Sequence, residues 1–255
     1  MRLRVLGCSG GIGGRDQRTT SFLVDDDVLL DAGTGVGELG LDALARIDHV
    51  FVTHSHLDHV ACIPFLVDTV GGMRSRPITV YATAETIAIL RAHLFNWLLW
   101  PDFTTIPSAE APVMRYQEVR VGEPVRLGSR TFTPLPAVHT VPAIGYQLDS
   151  GAGSLVFSGD TGPNEALWEA VNRIPNLKVL IVETAFSNQE RTLAELSKHL
   201  CPSMLAGELA RLRLSPEVWI THLKPGEPEL IMREVAAAVP SHRPRMLANG
   251  QSFEF

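Results

Sequence analysis

The chain has 255 residues, 45% of them hydrophobic, and its 28 acidic side chains outnumber the 22 lysines and arginines to give a net charge of −6. That length and composition suit one large α/β domain, expected to span 1–255, and the acidic balance opposes the counterion release that draws proteins onto long nucleic acids. No stretch has the profile of a signal peptide or a membrane span, and the scattered Cys8, Cys62 and Cys201 predict no disulfide framework, so a cytoplasmic location is expected.

Alternating apolar runs predict strands at Arg2–Gly7, Phe22–Asp25 and Val28–Asp31, followed by a helix over Glu38–Ile47 and a strand at His49–Thr53. A helix is expected after His59, then a strand at Ile78–Ala82 and a helix at Ala84–Phe95. The Pro-rich stretch Pro101–Pro124 still carries Phe103, Val113, Met114, Tyr116 and Val119, which makes it an ordered excursion and not a linker. Strands follow at Val113–Val121, Thr131–Val138, Ile144–Leu148 and Ser154–Ser158. The second half has the rhythm of the first: helix near Glu165–Asn172, strand Val179–Val182, helices across Thr192–Leu214, strand Val218–Thr221, helix Pro228–Val239 and a closing strand near Met246 and Phe253. Mixed strands with helices between them suit a sheet sandwich flanked by helices. No internal sequence repeat is evident.

The loop Gly7–Gly14, GCSGGIGG, lacks the Lys-Ser/Thr ending of a phosphate-binding P-loop, and Asp16 stands where a dinucleotide fingerprint needs its last glycine. It is read as a turn needing positive φ angles. Trp97 and Trp100, in FNWLLWP, are read as core at helical spacing; a base-binding wall and a homodimer contact are the functional alternatives. His49, His93 and His242 match no motif.

The central signal is Thr53-His54-Ser55-His56-Leu57-Asp58-His59, directly after an apolar strand. Three imidazoles and a carboxylate are costly to bury without a positive partner, whereas a divalent metal is satisfied by mixed nitrogen and oxygen donors. One metal cannot use all four groups and keep a position for water, so a pair of metals is the natural extension if the chain donates further ligands. His139, Asp160 and His222 each close an apolar strand pattern and supply them.

With the HxHxDH signature present as His54, His56, Asp58 and His59, the chain resembles the metallo-β-lactamase superfamily from its glycine-rich opening through LLDAG at Leu29–Gly33 to THLKP at Thr221–Pro225. The resemblance implies an αββα sandwich of two mixed sheets flanked by helices. It implies that His54, His56 and His139 hold one metal, that Asp58, His59 and His222 hold the other, and that Asp160 bridges them. The expected cofactor is two divalent ions, zinc first, with manganese or iron also compatible with such ligands. Within the superfamily, HSHLDHVA, FSGDTGP at Phe157–Pro163, ETAFSN at Glu183–Asn188, SKHLCPSML at Ser197–Leu205 and ITHLKP at Ile220–Pro225 resemble the class II cyclic nucleotide phosphodiesterases. Related phosphodiesterases, including ribonuclease Z, place a histidine beside the phosphate and orient it with a glutamate; His199 and Glu183 match that pair. Asp58, which also ligates, His199 and Glu183 are therefore the expected catalytic residues. The implied reaction is attack on phosphorus by a metal-bridging hydroxide, with His199 protonating the departing ribose oxygen and Lys224 beside His222 as a phosphate contact or a solvated lysine. The expected partner is a small phosphodiester such as cyclic AMP or cyclic GMP, with no long nucleic acid and no membrane. Ribonuclease Z is the alternative, but its tRNA-gripping arm is an insertion between the positions matching His139 and Asp160, where this chain has only twenty residues. A non-catalytic scaffold is disfavoured because all seven ligand positions are filled.

Overall fold

The computed structural model describes residues 1–14 and 16–255. Two seven-stranded mixed sheets dominate it. The first contains β1 (Arg2–Gly7), β2 (Ser21–Val24), β3 (Val28–Leu30), β4 (His49–Phe51), β5 (Ile78–Ala82) and β6 (Met114–Glu118) in chain order, with β14 (Ser252–Glu254) added beside β1. The second contains β7 (Val125–Leu127), β8 (Arg130–Pro136), β9 (Ile144–Asp149), β10 (Ser154–Phe157), β11 (Leu177–Glu183), β12 (Glu217–Thr221) and β13 (Arg245–Met246), also in chain order across the sheet. Eight helices connect the strands among the described residues: α1 (Leu41–Leu44), α2 (Leu57–Val60), α3 (Cys62–Val70), α4 (Ala84–His93), α5 (Glu165–Val171), α6 (Arg191–Ser197), α7 (Pro202–Leu209) and α8 (Pro228–Ala238).

Period-two side-chain alternation explains the layering. Along β3, Val28 and Leu30 face the seam between the sheets while Leu29 faces the helices, and along β11 Val179 and Ile181 face the seam while Leu180 and Val182 turn outward. Three buried clusters result, one between the sheets and one under each helical layer, which is an αββα sandwich. Phe51 centres the seam, stacked between Tyr81 at 4.3 Å and Phe132 at 4.4 Å and met edge-on by Tyr146.

The two sheets have the same pairing pattern. In the first, β14, β1, β2 and β3 pair antiparallel and β3, β4, β5 and β6 pair parallel. In the second, β7 to β10 pair antiparallel and β10 to β13 parallel. The repeat absent from the sequence is thus present in the topology. The candidate ligands follow strand ends, the His54–His59 motif after β4, His139 after β8, Asp160 after β10 and His222 after β12, and so do two carboxylates beside them, Asp31 after β3 and Glu183 closing β11.

Several elements depart from the sequence reading. The helix expected over Glu38–Ile47 shrinks to a 3-10 turn at Thr34–Glu38 and the single turn α1. Leu39 and Gly40 are both extended (ψ 129° and 161°) and separate the two turns, while just before them the chain is pressed onto β1 and β2, where a Cβ at Gly35 would lie 2.3 Å from Ser21 Oγ and 2.6 Å from the Leu6 carbonyl carbon. The helices expected across Thr192–Leu214 are present as α6 and α7, separated at Lys198, which is left-handed (φ 54°), before Pro202 opens α7. The edge strand β7 has only one apolar pair around Arg126, too little to register as alternation. The core reading of Trp97 fails. The Asn96 side-chain oxygen accepts from the backbone N–H groups of Leu98 and Leu99, bending the chain out of the helix, and Trp97 is 63% exposed. Trp100 does pack, edge-on against Phe65 at 5.3 Å.

Candidate metal centre

The seven expected ligands converge on one edge of the sandwich. Donor atoms of His54, His56 and His139 lie within 4.8 Å of one another, and so do those of Asp58, His59, Asp160 and His222. Asp160 sits between the groups: its Oδ2 is 3.3 Å from His59 Nε2 and 3.7 Å from His54 Nε2, and its Oδ1 is 3.4 Å from His222 Nδ1. Asp58 approaches His59 Nε2 at 3.9 Å and His222 Nε2 at 3.8 Å. The centre is deeply set, with His54, His59, Asp160 and His222 buried, and it opens toward solvent through the partly exposed His56 and Asp58.

Backbone geometry aims these groups. His222 is itself left-handed (φ 65°), its N–H donates to the Cys8 carbonyl at 2.8 Å, and a Cβ at Gly10 would stand 2.5 Å from the His222 carbonyl oxygen. The glycine-rich opening therefore supports the centre by close approach. Only Gly14 in that loop has a positive φ, which corrects the turn reading. Lys224 is likewise committed, donating from Nζ to the Gly10 carbonyl at 2.6 Å.

One residue without a role in the sequence reading proves central. Asp31, left-handed (φ 57°) and fully buried directly after β3, accepts from His59 Nδ1 at 2.7 Å, from the Thr53 N–H at 2.8 Å and from the Thr53 hydroxyl at 2.8 Å. It fixes the His59 ring with Nε2 facing Asp160, the arrangement by which a carboxylate orients a metal-binding imidazole. The available signal was the carboxylate of LLDAG at an apolar strand end.

Whether the donors suit a metal is tested by their unpaired atoms. His54 Nε2, His59 Nε2, Asp160 Oδ1 and both ring nitrogens of His222 are buried without a hydrogen-bond partner. Such atoms are expensive unless something electrophilic meets them, and a nitrogen–oxygen donor set of this kind fits zinc or a similar divalent cation. The electrostatics agree. Burial holds His54 well below the usual imidazole value, with His59 adding to the effect, and burial likewise holds His139 near 4 and His222 near 3, so these rings are neutral donors. Burial also opposes a charge on His59, but the carboxylates of Asp160 and Asp31 outweigh it and keep its proton. A cation in that field would displace the proton.

Beside the centre, Glu183 and His199 form a buried pair. Glu183 Oε1 accepts from His199 Nδ1 at 2.7 Å and from the Thr161 N–H at 3.0 Å, and Oε2 accepts from the Leu200 N–H at 3.2 Å. Burial raises the Glu183 carboxyl. It opposes the His199 charge, but Glu183 and Asp160 win and raise the imidazole above its usual value. The His199 ring stacks on His222 at 5.1 Å and meets His139 edge-on at 4.9 Å. A further cluster, Asp27, Asp48 and His49, is a different case, because Arg130 engages Asp27 while Arg74 and Arg76 engage Asp48.

The sequence family described as the beta-lactamase superfamily domain matches residues 27–241. This chain belongs to the metallo-β-lactamase superfamily. Among its relatives is a probable 3',5'-cyclic-nucleotide phosphodiesterase of Yersinia pestis, 30% identical over 86% of this chain and 77% of that protein. Ribonuclease Z of Methanopyrus kandleri is 26% identical, over 58% of this chain and 50% of its own length. The crystal structure of unliganded yeast PDE1 superposes on all of this chain and 99% of its own with a TM-score of 0.82 at 18% identity, a likeness of fold.

Proposed function

We propose that the protein is a dinuclear metal-dependent phosphodiesterase acting on a small phosphodiester, with a 3',5'-cyclic nucleotide as substrate. The observation that carries this reading is the adjacency of two donor groups, joined at Asp160, to a histidine whose second nitrogen is already bound to a carboxylate. His54, His56 and His139 would hold one divalent ion and Asp58, His59 and His222 the other, with Asp160 between them. Bound there, such a pair supplies Lewis acidity and makes hydroxide available near neutral pH.

The rest of the work falls to the chain itself. Asp31 and Thr53 orient His59, and burial keeps His54, His139 and His222 unprotonated for ligation. Glu183 holds Nδ1 of His199, which leaves Nε2 to carry a proton. In this reading His199 Nε2 donates that proton to the departing ribose oxygen, a group that leaves poorly as an alkoxide. The partly exposed Asp58 and His56 mark the approach route. The twenty-residue interval between His139 and Asp160 is filled by the β9–β10 hairpin, which supports a small substrate over folded RNA.

The experiment pairs elemental analysis of protein purified without chelator with turnover of cyclic AMP, cyclic GMP, bis(p-nitrophenyl) phosphate and a tRNA precursor. Two metals per chain and preference for the cyclic nucleotides are expected. One metal with Asp58 and His222 dispensable for binding would end the dinuclear reading. Preference for the tRNA precursor would move the protein to the ribonuclease Z type.

A further inference from the structure

Lys198 lies between α6 and His199 and was given no role by the sequence. It occupies the left-handed region (φ 54°, ψ 49°), where glycine would be free of strain and where helices commonly end on glycine. Its backbone and its side chain both reach the same candidate ligand. The Lys198 carbonyl accepts from His139 Nδ1 at 3.1 Å, and the Lys198 ammonium donates to the His139 carbonyl at 2.9 Å. The first bond turns His139 Nε2 toward His56, whose Nδ1 is 3.1 Å away. The second holds the main chain from which that ring projects.

These bonds close a ring of contacts. Val138, next to His139, donates its N–H to the Thr161 hydroxyl at 3.0 Å and accepts from the Gly162 N–H at 2.8 Å. Thr161 donates its own N–H to Glu183, Glu183 accepts from His199, and His199 adjoins Lys198. The loops after β8, β10 and α6 are thereby tied together around Asp160, and Lys198 is the link between the first and the last.

We infer that Lys198 is a positioning residue that straps the loop carrying His199 to His139, so that the ligand geometry and the position of His199 are set together. This rests on the reading of His139 as a ligand. In the left-handed conformation at 198 the carbonyl and the ammonium of one residue both meet His139. The Lys198 residue is otherwise exposed, so replacing it threatens no core packing.

The test is zinc affinity, measured by competition with a chromophoric chelator, for wild type, Lys198→Met, Lys198→Gly and Lys198→Arg. Methionine keeps an unbranched side chain, one atom shorter, and removes the donor; glycine removes both the donor and the backbone strain; arginine keeps a cationic donor. Zinc binding should weaken by roughly three- to tenfold in Lys198→Met and Lys198→Gly, without a fall in the apo-protein melting temperature, and Lys198→Arg should recover most of it. A purely conformational role predicts the opposite for Lys198→Gly, which would bind zinc at least as well as wild type and overturn the inference. Wild-type affinity in Lys198→Met, or failure of Lys198→Arg to do better than Lys198→Met, would overturn it equally. Failure of wild type to bind zinc at all is a distinct result, and it would sink the metal reading underneath.

Discussion

Asp160 and His199 stand within one ring of each other, yet their surroundings assign them different work. Asp160 has one oxygen near His54 and His59 and the other near His222, and its Oδ1 has no hydrogen-bond partner. His199 has its Nδ1 fully engaged by Glu183. On the proposed dinuclear reading, Asp160→Ala should deplete both metals and abolish turnover, since it removes the oxygen donor that would serve both groups. His199→Ala should keep both metals and lose on the order of 10²–10⁴-fold in kcat on a cyclic nucleotide, the usual contribution of a positioned acid. On bis(p-nitrophenyl) phosphate, whose leaving group departs without a proton, the same variant should lose far less. Metal analysis and kcat on the two substrates decide it; equal losses would make His199 a phosphate-binding group, and metal release would make it a ligand. Most of this candidate cluster was legible at the level of residue type, because four ionisable side chains within six residues, with His54 and His59 fully buried, need electrostatic partners from elsewhere in the chain. Asp31 and Lys198 were not. Their roles depend on left-handed backbone and on partners at residues 59 and 139, and no local pattern encodes such contacts.

Among the elements, the alternating strands were readable because each faces two different environments, and Ile78–Ala82 falls where its pattern predicts. The misread elements are those whose conformation is decided elsewhere. Gly35 is set by β1 and β2, and the course of Leu94–Trp100 is set by one Asn96 side chain. A contact of the same long-range kind joins the sheets at their far end. Arg130 on β8 makes a two-pronged bond to Asp27, at 2.5 and 2.7 Å, and a third contact to Asp25 at 3.1 Å, both acids lying in the turn between β2 and β3. The Arg130 hydrogen bond is the main reason the Asp27 carboxyl lies below its usual value, against the opposing effect of burial. A depressed folded value means that the bond's stabilisation is complete above the unfolded carboxylate value of 3.8 and is lost as pH falls through the lower folded one. Arg130→Met should cost about 1 kcal/mol at neutral pH, the partial exposure of both partners keeping the effect modest, and should lower Tm by roughly 2–4 °C. Activity should not change. In thermal melts across pH, the gap between wild type and variant should close at the acid end; a gap that persisted or widened there would show that the arginine acts through packing instead.

Across the whole molecule, two halves with the same strand pairing meet so that the ends of β3, β4, β8, β10, β11 and β12 reach one edge. That duplication was visible in the sequence only as a shared rhythm of elements and not as a repeat of residues, because a common topology constrains which positions are apolar and leaves open which apolar residue fills them. It also separates the stability of the fold from occupancy of the site. The three buried clusters hold the four layers together and are built from apolar side chains, with none of the candidate ligands among them. At the edge, buried imidazoles and carboxylates crowd together with nitrogen and oxygen atoms left unpaired, which disfavours the native state until a cation meets them. Metal bound to the folded state alone adds RT ln(1 + [L]/Kd), about 4 kcal/mol at a thousandfold excess over Kd. For a domain of this size that corresponds to a shift in Tm of roughly 10 °C. Stripping the protein with chelator should therefore leave its far-ultraviolet circular dichroism unchanged at 25 °C while lowering Tm by about that amount, and readdition of zinc should restore it. In Asp160→Ala, which has lost the shared donor, chelator should produce almost no shift. A Tm indifferent to chelator in wild type would mean that the cluster holds no metal, and loss of circular dichroism on stripping would mean that the centre, and not the three clusters, holds the layers together.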